Sequence, residues 1–380
     1  MWNRFQMIIK RWQVGVWTSL GAILLGLMIV LSGCSKPEPI EIGFVGGTSG
    51  RVADLGIAGR NGALLAVELR NQAGGVAGRK VELIMRDDEQ NPEVAERVTR
   101  ELIDRGVAAI VGPMTSVIAV RMVPIANEAG MLLMSPTVAT DDLSHQDDYF
   151  FRVSASTREY ATKMAFYQRH LRRVAAAYDL GNQSYTVSWL HEFRDTLAKN
   201  GGAVIQALGF KSAGDTLFLP IARDLLATQP DGVLIVANSV DAALLCQQIR
   251  KLNAHVPIVV AEWGATEQLI ELGGKAVEGV IMTQFFDRNS IVPRYRAFRQ
   301  RYRDRFDQEP GFAGTAGFDA ANVVMDALAQ RRSGQSLKEV VQAVRRFEGV
   351  QHLVYFDEYG DTKRETFISV VRGGRFMRVE

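Results

Sequence analysis

From Glu41 onward the sequence alternates short apolar, β-rich runs with stretches of helical period, and this alternation limits what the chain can fold into. Glu41–Val45 reads as a strand that ends in the turn Gly46-Gly47-Thr48-Ser49-Gly50. Ala58, Gly62, Leu65 and Leu69 then recur on one helical face until Gly74-Gly75 stops them. The pattern repeats through strands at Lys80–Met85, Val107–Val111 and Met131–Met134, with helices opening at Asn91-Pro92 and at Ser116. After a polar loop, Thr137–Asp148, it resumes with strands at Val174–Tyr178, Val204–Leu208, Gly232–Val236, Pro257–Val260 and Val280–Thr283. Helical stripes separate them, such as Trp189, Phe193 and Leu197. From Val292 the chain turns more helical, and strands at Leu353–Phe356 and Phe367–Val371 close it. Strands alternating with helices predict an α/β fold with parallel sheets covered on both faces. Such sheets bind ligands in the loops at the carboxyl ends of their strands.

The N-terminus lies outside that pattern. A basic stretch ends at Lys10-Arg11, an apolar run extends from Val14 to Leu31, and Leu31-Ser32-Gly33-Cys34 follows, then the Pro-rich Ser35–Pro39. The run is long for a secretory signal and close to the ~20 residues of a membrane-spanning helix, so length alone leaves both readings open. Leu-Ser-Gly-Cys resembles the lipobox of bacterial lipoproteins, which implies a signal peptide over residues 1–33, lipidation at Cys34 and a tether over 34–40. An uncleaved anchor helix is the alternative. On either reading the folded part sits outside the cytoplasm, held to a membrane. The only other cysteine is Cys246, in an apolar helical stretch, where it reads as a small buried hydrophobe.

Charge points away from nucleic acid. Arg4, Lys10 and Arg11 precede residue 34, which leaves 41 of the 44 basic residues against 42 acidic ones. The six arginines between Arg294 and Arg305 lie on the polar faces of an aromatic-striped helix and read as a solvated face. Enzyme signatures are missing. Gly43-Phe44-Val45-Gly46-Gly47 has the wrong spacing for a dinucleotide turn, and there is no Walker-type Gly-Lys-Ser/Thr, no Gly-x-Ser-x-Gly elbow and no Cys/His cluster for a metal. No cofactor and no metal are expected.

An ordered set of segments carries a resemblance. It comprises Glu41–Gly50, Gly59–Gly75, Arg86-Asp87-Asp88 before Asn91-Pro92, Gly112-Pro113-Met114-Thr115-Ser116, Met134-Ser135-Pro136-Thr137 and Tyr149-Phe150-Phe151-Arg152. Together they resemble the branched-chain amino-acid-binding family of type I periplasmic binding proteins, the substrate receptors of ABC importers. The resemblance implies two Rossmann-like lobes joined by a three-crossover hinge, with a ligand trapped in the cleft between them. Lobe 1 would comprise 41–152 plus 286–350, and lobe 2 would comprise 153–285 plus 351–380. The partners implied are a small amino acid or related carboxylate or amide, and an ABC permease.

Site residues follow from the resemblance. Ser116 would bind the ligand carboxylate, in keeping with its place at the start of a helix, whose free N–H groups favour an anion; a plain helix cap is the alternative role. The loop after Ser135-Pro136 would supply a carbonyl and a hydroxyl, matching Thr137 and Ala139; Ala139 has no hydroxyl, and Thr140 could substitute. Glu262 would pair with a ligand ammonium, against the plainer reading of an exposed loop Glu. Tyr185 would close over the ligand, with Trp263 as a second aromatic, and Thr48 and Ser49 as polar candidates. Gln90 and Thr115 stand where the family has a disulfide, and Leu55 and Ser239 replace two of its tyrosines. A sensor or regulatory lipoprotein on the same fold, or an exported hydrolase, are the rival functions.

Overall fold

The computed structural model describes residues 37–379, so the expected signal peptide and Cys34 lie outside the described residues. The description below concerns Ile40 onward, one compact unit. Among the described residues no helix is long and apolar enough to cross a membrane.

Two sheets organise this unit. The first holds five parallel strands in the order β2-β1-β3-β4-β5: β1 Ile40–Gly46, β2 Val81–Asp87, β3 Ile110–Val111, β4 Leu133–Ser135 and β5 Phe150–Arg152. From Ile42 onward β1 is buried throughout, because helices cover both faces of a central parallel strand. The second sheet has seven strands in the order β14-β13-β10-β9-β8-β6-β7. Here β6 Arg173–Asp179, β7 Ala203–Phe210, β8 Gly232–Val236, β9 Ile258–Val260 and β10 Ile281–Gln284 are parallel. Strand β13 Phe367–Arg372 joins β10 antiparallel and β14 Arg375–Arg378 joins β13 antiparallel, so this sheet is mixed at its edge. A two-stranded hairpin, β11 Arg346–Glu348 with β12 Leu353–Tyr355, belongs to neither sheet.

The chain passes between the sheets three times: after β5, after β10 and after β12. The hairpin β11–β12 runs across the expected 350/351 boundary and contacts the helix Gly311–Gln330, so the third passage follows Tyr355. Two buried ion pairs tie these passages. Arg152, 1% exposed, pairs with Asp361 at 2.8 Å and donates to the Thr140 carbonyl at 2.7 Å. Arg364 pairs with Asp319 at 2.8 Å, and Asp319 also accepts from the Val350 N–H at 2.9 Å. One pair joins strand β5 and the other the helix Gly311–Gln330 to the 357–364 segment, and opposite charge is what makes such burial tolerable.

Local chemistry explains the helix ends. Asn91 caps Pro92–Asp104 by accepting from Glu93 and Val94, and Ser156 with Glu159 forms a capping box on Thr157–Tyr167. Behind the first sheet, helices Ala53–Gln72 and Gly311–Gln330 approach until backbones touch. A Cβ on Gly62 would stand 2.0 Å from the Gly314 carbonyl oxygen, and one on Gly317 would stand 2.2 Å from that of Gly59. No rotamer relieves a methyl against backbone. Gly62→Ala is therefore expected to destabilise by about 1–3 kcal/mol despite alanine's better helix propensity. Gly214→Ala, with nothing within 4 Å of the new carbon, should leave the melting temperature unchanged. Equal melting of both variants with the parent would refute the backbone-contact account.

Candidate functional site

The two sheets face each other across a cleft at the carboxyl ends of their parallel strands, as expected for open α/β sheets. One cavity is lined from both sides. Leu55 follows β1, Met114, Thr115 and Ser116 follow β3, and Thr137 follows β4; from the second lobe come Ser154, Tyr160, Asn182, Tyr185, Glu262 and Trp263. Phe285 and Phe312 complete its apolar wall. The site is nearly shut, offering only about 20 Å³ to the centres of water-sized molecules. That is space for about one water, so any larger guest requires the lobes to part.

Glu262 governs the electrostatics. It follows β9, is 7% exposed, and accepts from the Tyr185 hydroxyl at 2.7 Å and the Trp189 indole N–H at 2.8 Å. No cation pairs with it among the described residues. Burial pushes its carboxyl up to about 7 from an ordinary 4.5, against the opposing effect of the two hydrogen bonds. Tyr185 also accepts from the Trp263 N–H at 3.4 Å and meets the Trp263 ring edge-on at 5.5 Å. Trp189, stacked on Phe193 at 5.5 Å, fixes the second carboxylate oxygen. In the sequence Trp189 reads only as part of a core stripe, and nothing there reveals that its indole N–H reaches the site.

Ser116 opens the helix Ser116–Ala129, with Thr115 as its cap, and is 2% exposed. Its Oγ accepts from the Thr140 N–H at 3.2 Å and keeps its own proton to give. The next helix N–H, of Val117, donates across the cleft to Asn182 Oδ1 at 2.9 Å. Thr137 lines the cavity, but its hydroxyl donates to the Met114 carbonyl at 2.5 Å; toward the cleft it offers lone pairs.

Several expected site residues do not reach the cavity. The Ala139 carbonyl accepts from the Thr157 N–H at 2.6 Å. The Thr140 hydroxyl caps the short turn Asp141–Leu143, so it does not replace the hydroxyl missing at Ala139. Thr48 gives both its N–H and its hydroxyl to Asp87, at 3.0 and 2.8 Å, and Ser49 is exposed. These two secure the turn after β1 and do not line the cavity. Glu262 is buried, which rules out the exposed-loop alternative.

The rim carries contacts between lobes. Asp54 accepts from the hydroxyls of Ser239 at 2.7 Å and Thr266 at 2.6 Å, and Arg51 pairs with Asp241. Thr115 donates to Gln90 at 3.2 Å, which links the loops after β2 and β3. Cys246 is fully buried, and burial pushes its thiol up to about 12, as befits an inert core residue.

Comparison with known proteins agrees with this architecture. A family profile described as periplasmic binding protein matches residues 39–379. The leucine-, isoleucine-, valine-, threonine- and alanine-binding protein of Pseudomonas aeruginosa is 24% identical over 87% of this chain and 89% of its own. The crystal structure of a Streptococcus pneumoniae branched-chain amino acid transporter substrate-binding protein, in complex with isoleucine, superposes with a TM-score of 0.82. It is 25% identical, over 89% of this chain and 97% of that one. A solute-binding protein of an ABC transporter from R. palustris, in complex with benzoate, has a TM-score of 0.81 at 18% identity, covering 90% and 95%. The chain thus belongs to the periplasmic binding protein family, in the type I group that includes the Leu/Ile/Val-binding proteins.

Proposed function

We propose that this protein is the extracytoplasmic solute receptor of an ABC importer, and that it captures an amino acid or a close analogue bearing both an anionic and a cationic end. The observation that carries this reading is Glu262, a buried carboxylate that lines a cleft and has no cation beside it. Uncompensated burial is costly, and a ligand ammonium would supply the missing charge. At the opposite wall the first turn of Ser116–Ala129 and the free Ser116 proton suit a carboxylate. A zwitterion spans the two. Thr137, with its proton committed to Met114, assists the cationic end and not the carboxylate.

Lobe closure is the working motion in this proposal. The Asp54 and Arg51 contacts exist only with the lobes together, so they favour the closed form whether or not a ligand is present. A ligand adds to closure only by binding the closed form better than the open one. The closed pair of lobes would form the composite surface read by the permease, with lipidation at Cys34 holding the receptor at the membrane. No reaction is assigned to the site.

Three outcomes test this reading, on the full chain. First, Glu262→Ala should abolish binding of amino acids, read by calorimetry, and spare simple carboxylic acids; Ser116→Ala should weaken both classes. Equal loss of acids and amino acids in Glu262→Ala would refute the ammonium role. Second, the folded Glu262 holds a proton that the unfolded chain, titrating near 4.5, releases. The ligand-free protein should therefore lose stability as pH rises from about 4.5 to about 7, then level off. Glu262→Gln should remove about a third of that slope, the share set by its own shift, and leave the part due to Asp88 and Asp179, both raised from 3.8 to about 6 by burial. Amino-acid affinity should strengthen over the same window; a pH-independent affinity counts against the proposal. Third, Asp54→Ala should enlarge the ligand-free radius of gyration and weaken binding several-fold, with the melting temperature of neither lobe displaced by more than a few degrees.

A further inference from the structure

The cavity hydroxyls can be sorted by where their protons go. Thr115 donates to Gln90, Thr137 to the Met114 carbonyl, Ser154 to the Val138 carbonyl at 2.8 Å, and Tyr185 to Glu262. Two protons remain uncommitted. One belongs to Ser116, on the first lobe, and is matched to the ligand carboxylate. The other belongs to Tyr160, on the second lobe.

Tyr160 sits on the helix Thr157–Tyr167, is 1% exposed, and lines the cavity; the Ala155 N–H acts on its oxygen, but its hydroxyl proton has no acceptor. An unsatisfied buried hydroxyl is unfavourable, and a phenylalanine would fill the same space without that cost. The ring needs no hydroxyl to stay in place. It leans on Phe285 at 6.5 Å, and the Thr283 hydroxyl donates to the Tyr160 backbone carbonyl at 3.1 Å. The surrounding wall, Leu55, Trp263, Phe285 and Phe312, is apolar. The nearby charges are Glu262 and Glu159 on one hand and Arg364 on the other, and Arg364 is already matched by Asp319. A second anionic group on the ligand would therefore meet net negative surroundings.

We propose that Tyr160 donates its proton to an oxygen on the ligand side chain, so that the cleft selects amino acids with an uncharged hydroxyl or carboxamide side chain over aliphatic ones of the same shape. This rests on the amino-acid reading above and goes beyond it by assigning the side-chain class.

Near-isosteric pairs isolate the hydroxyl: threonine against valine, and asparagine against leucine. Calorimetry on the full chain should show the oxygen-bearing member of each pair bound about tenfold tighter or more. Tyr160→Phe should bring each pair to within about twofold, with the aliphatic member bound as well as before or better. The variant keeps every contact described for the ring, and an unchanged melting temperature checks that. If the parent prefers valine and leucine, or if Tyr160→Phe leaves the ratios intact, the inference is overturned while the amino-acid reading stands. Failure of all four to bind overturns the inference; failure of all twenty common amino acids overturns the underlying reading as well.

Discussion

A carboxylate buried without a counter-charge is unstable unless something else compensates for it, and Glu262 gathers the arrangement around itself for that reason. Two neutral donors, the Tyr185 hydroxyl and the Trp189 indole N–H, hold its oxygens in place. They orient the charge without neutralising it, and burial still carries the carboxyl up to about 7. Had an arginine stood there, the site would be complete and inert. Across the cleft, the helix beginning at Ser116 presents the opposite polarity. The two lobes thus bring opposite polarities to the facing walls of one cavity.

The sheets and much of the cavity lining were legible in the sequence for physical reasons. Parallel strands buried on both faces must be apolar throughout, as at Ile42–Val45 and Val233–Val236, and amphipathic helices must intervene. Ser116, Thr137, Tyr185, Glu262 and Trp263 follow strands or open helices, which is where an α/β sheet places its ligand contacts. What the sequence hid is chiefly side-chain direction. Ala139 and Thr140 adjoin Thr137, but their polar atoms serve the local turn and the start of the next helix. Thr48 and Ser49 look available in a Gly-rich turn; Asp87 from the neighbouring strand claims Thr48. Tyr160 and Trp189 occupy helical stripes indistinguishable from core, because periodicity reports burial and not what a buried polar atom faces.

Both terminal strands were legible as strands, but the partner of the first was not. Leu353–Tyr355 has the composition of a sheet strand, yet it pairs with Arg346–Glu348 in a separate hairpin. Strand composition says that a segment fits a pleated surface and leaves its partner unspecified. The aromatic cluster beneath the hairpin supplies that information. Phe356 meets Phe347 at 5.9 Å and Phe151 at 5.8 Å, which anchors the hairpin where the chain leaves the first sheet.

The glycine-to-glycine contact between Ala53–Gln72 and Gly311–Gln330 has a consequence for how such a receptor can diversify. The helix that carries Asp54 and Leu55 into the cleft is gripped from behind by its backbone, not by the side chains at its exposed end. Exchanging Leu55 for another residue would alter what the guest feels without loosening the grip that positions it. A frame seated in this way separates the task of staying folded from the task of choosing a cargo, and leaves the second free to drift.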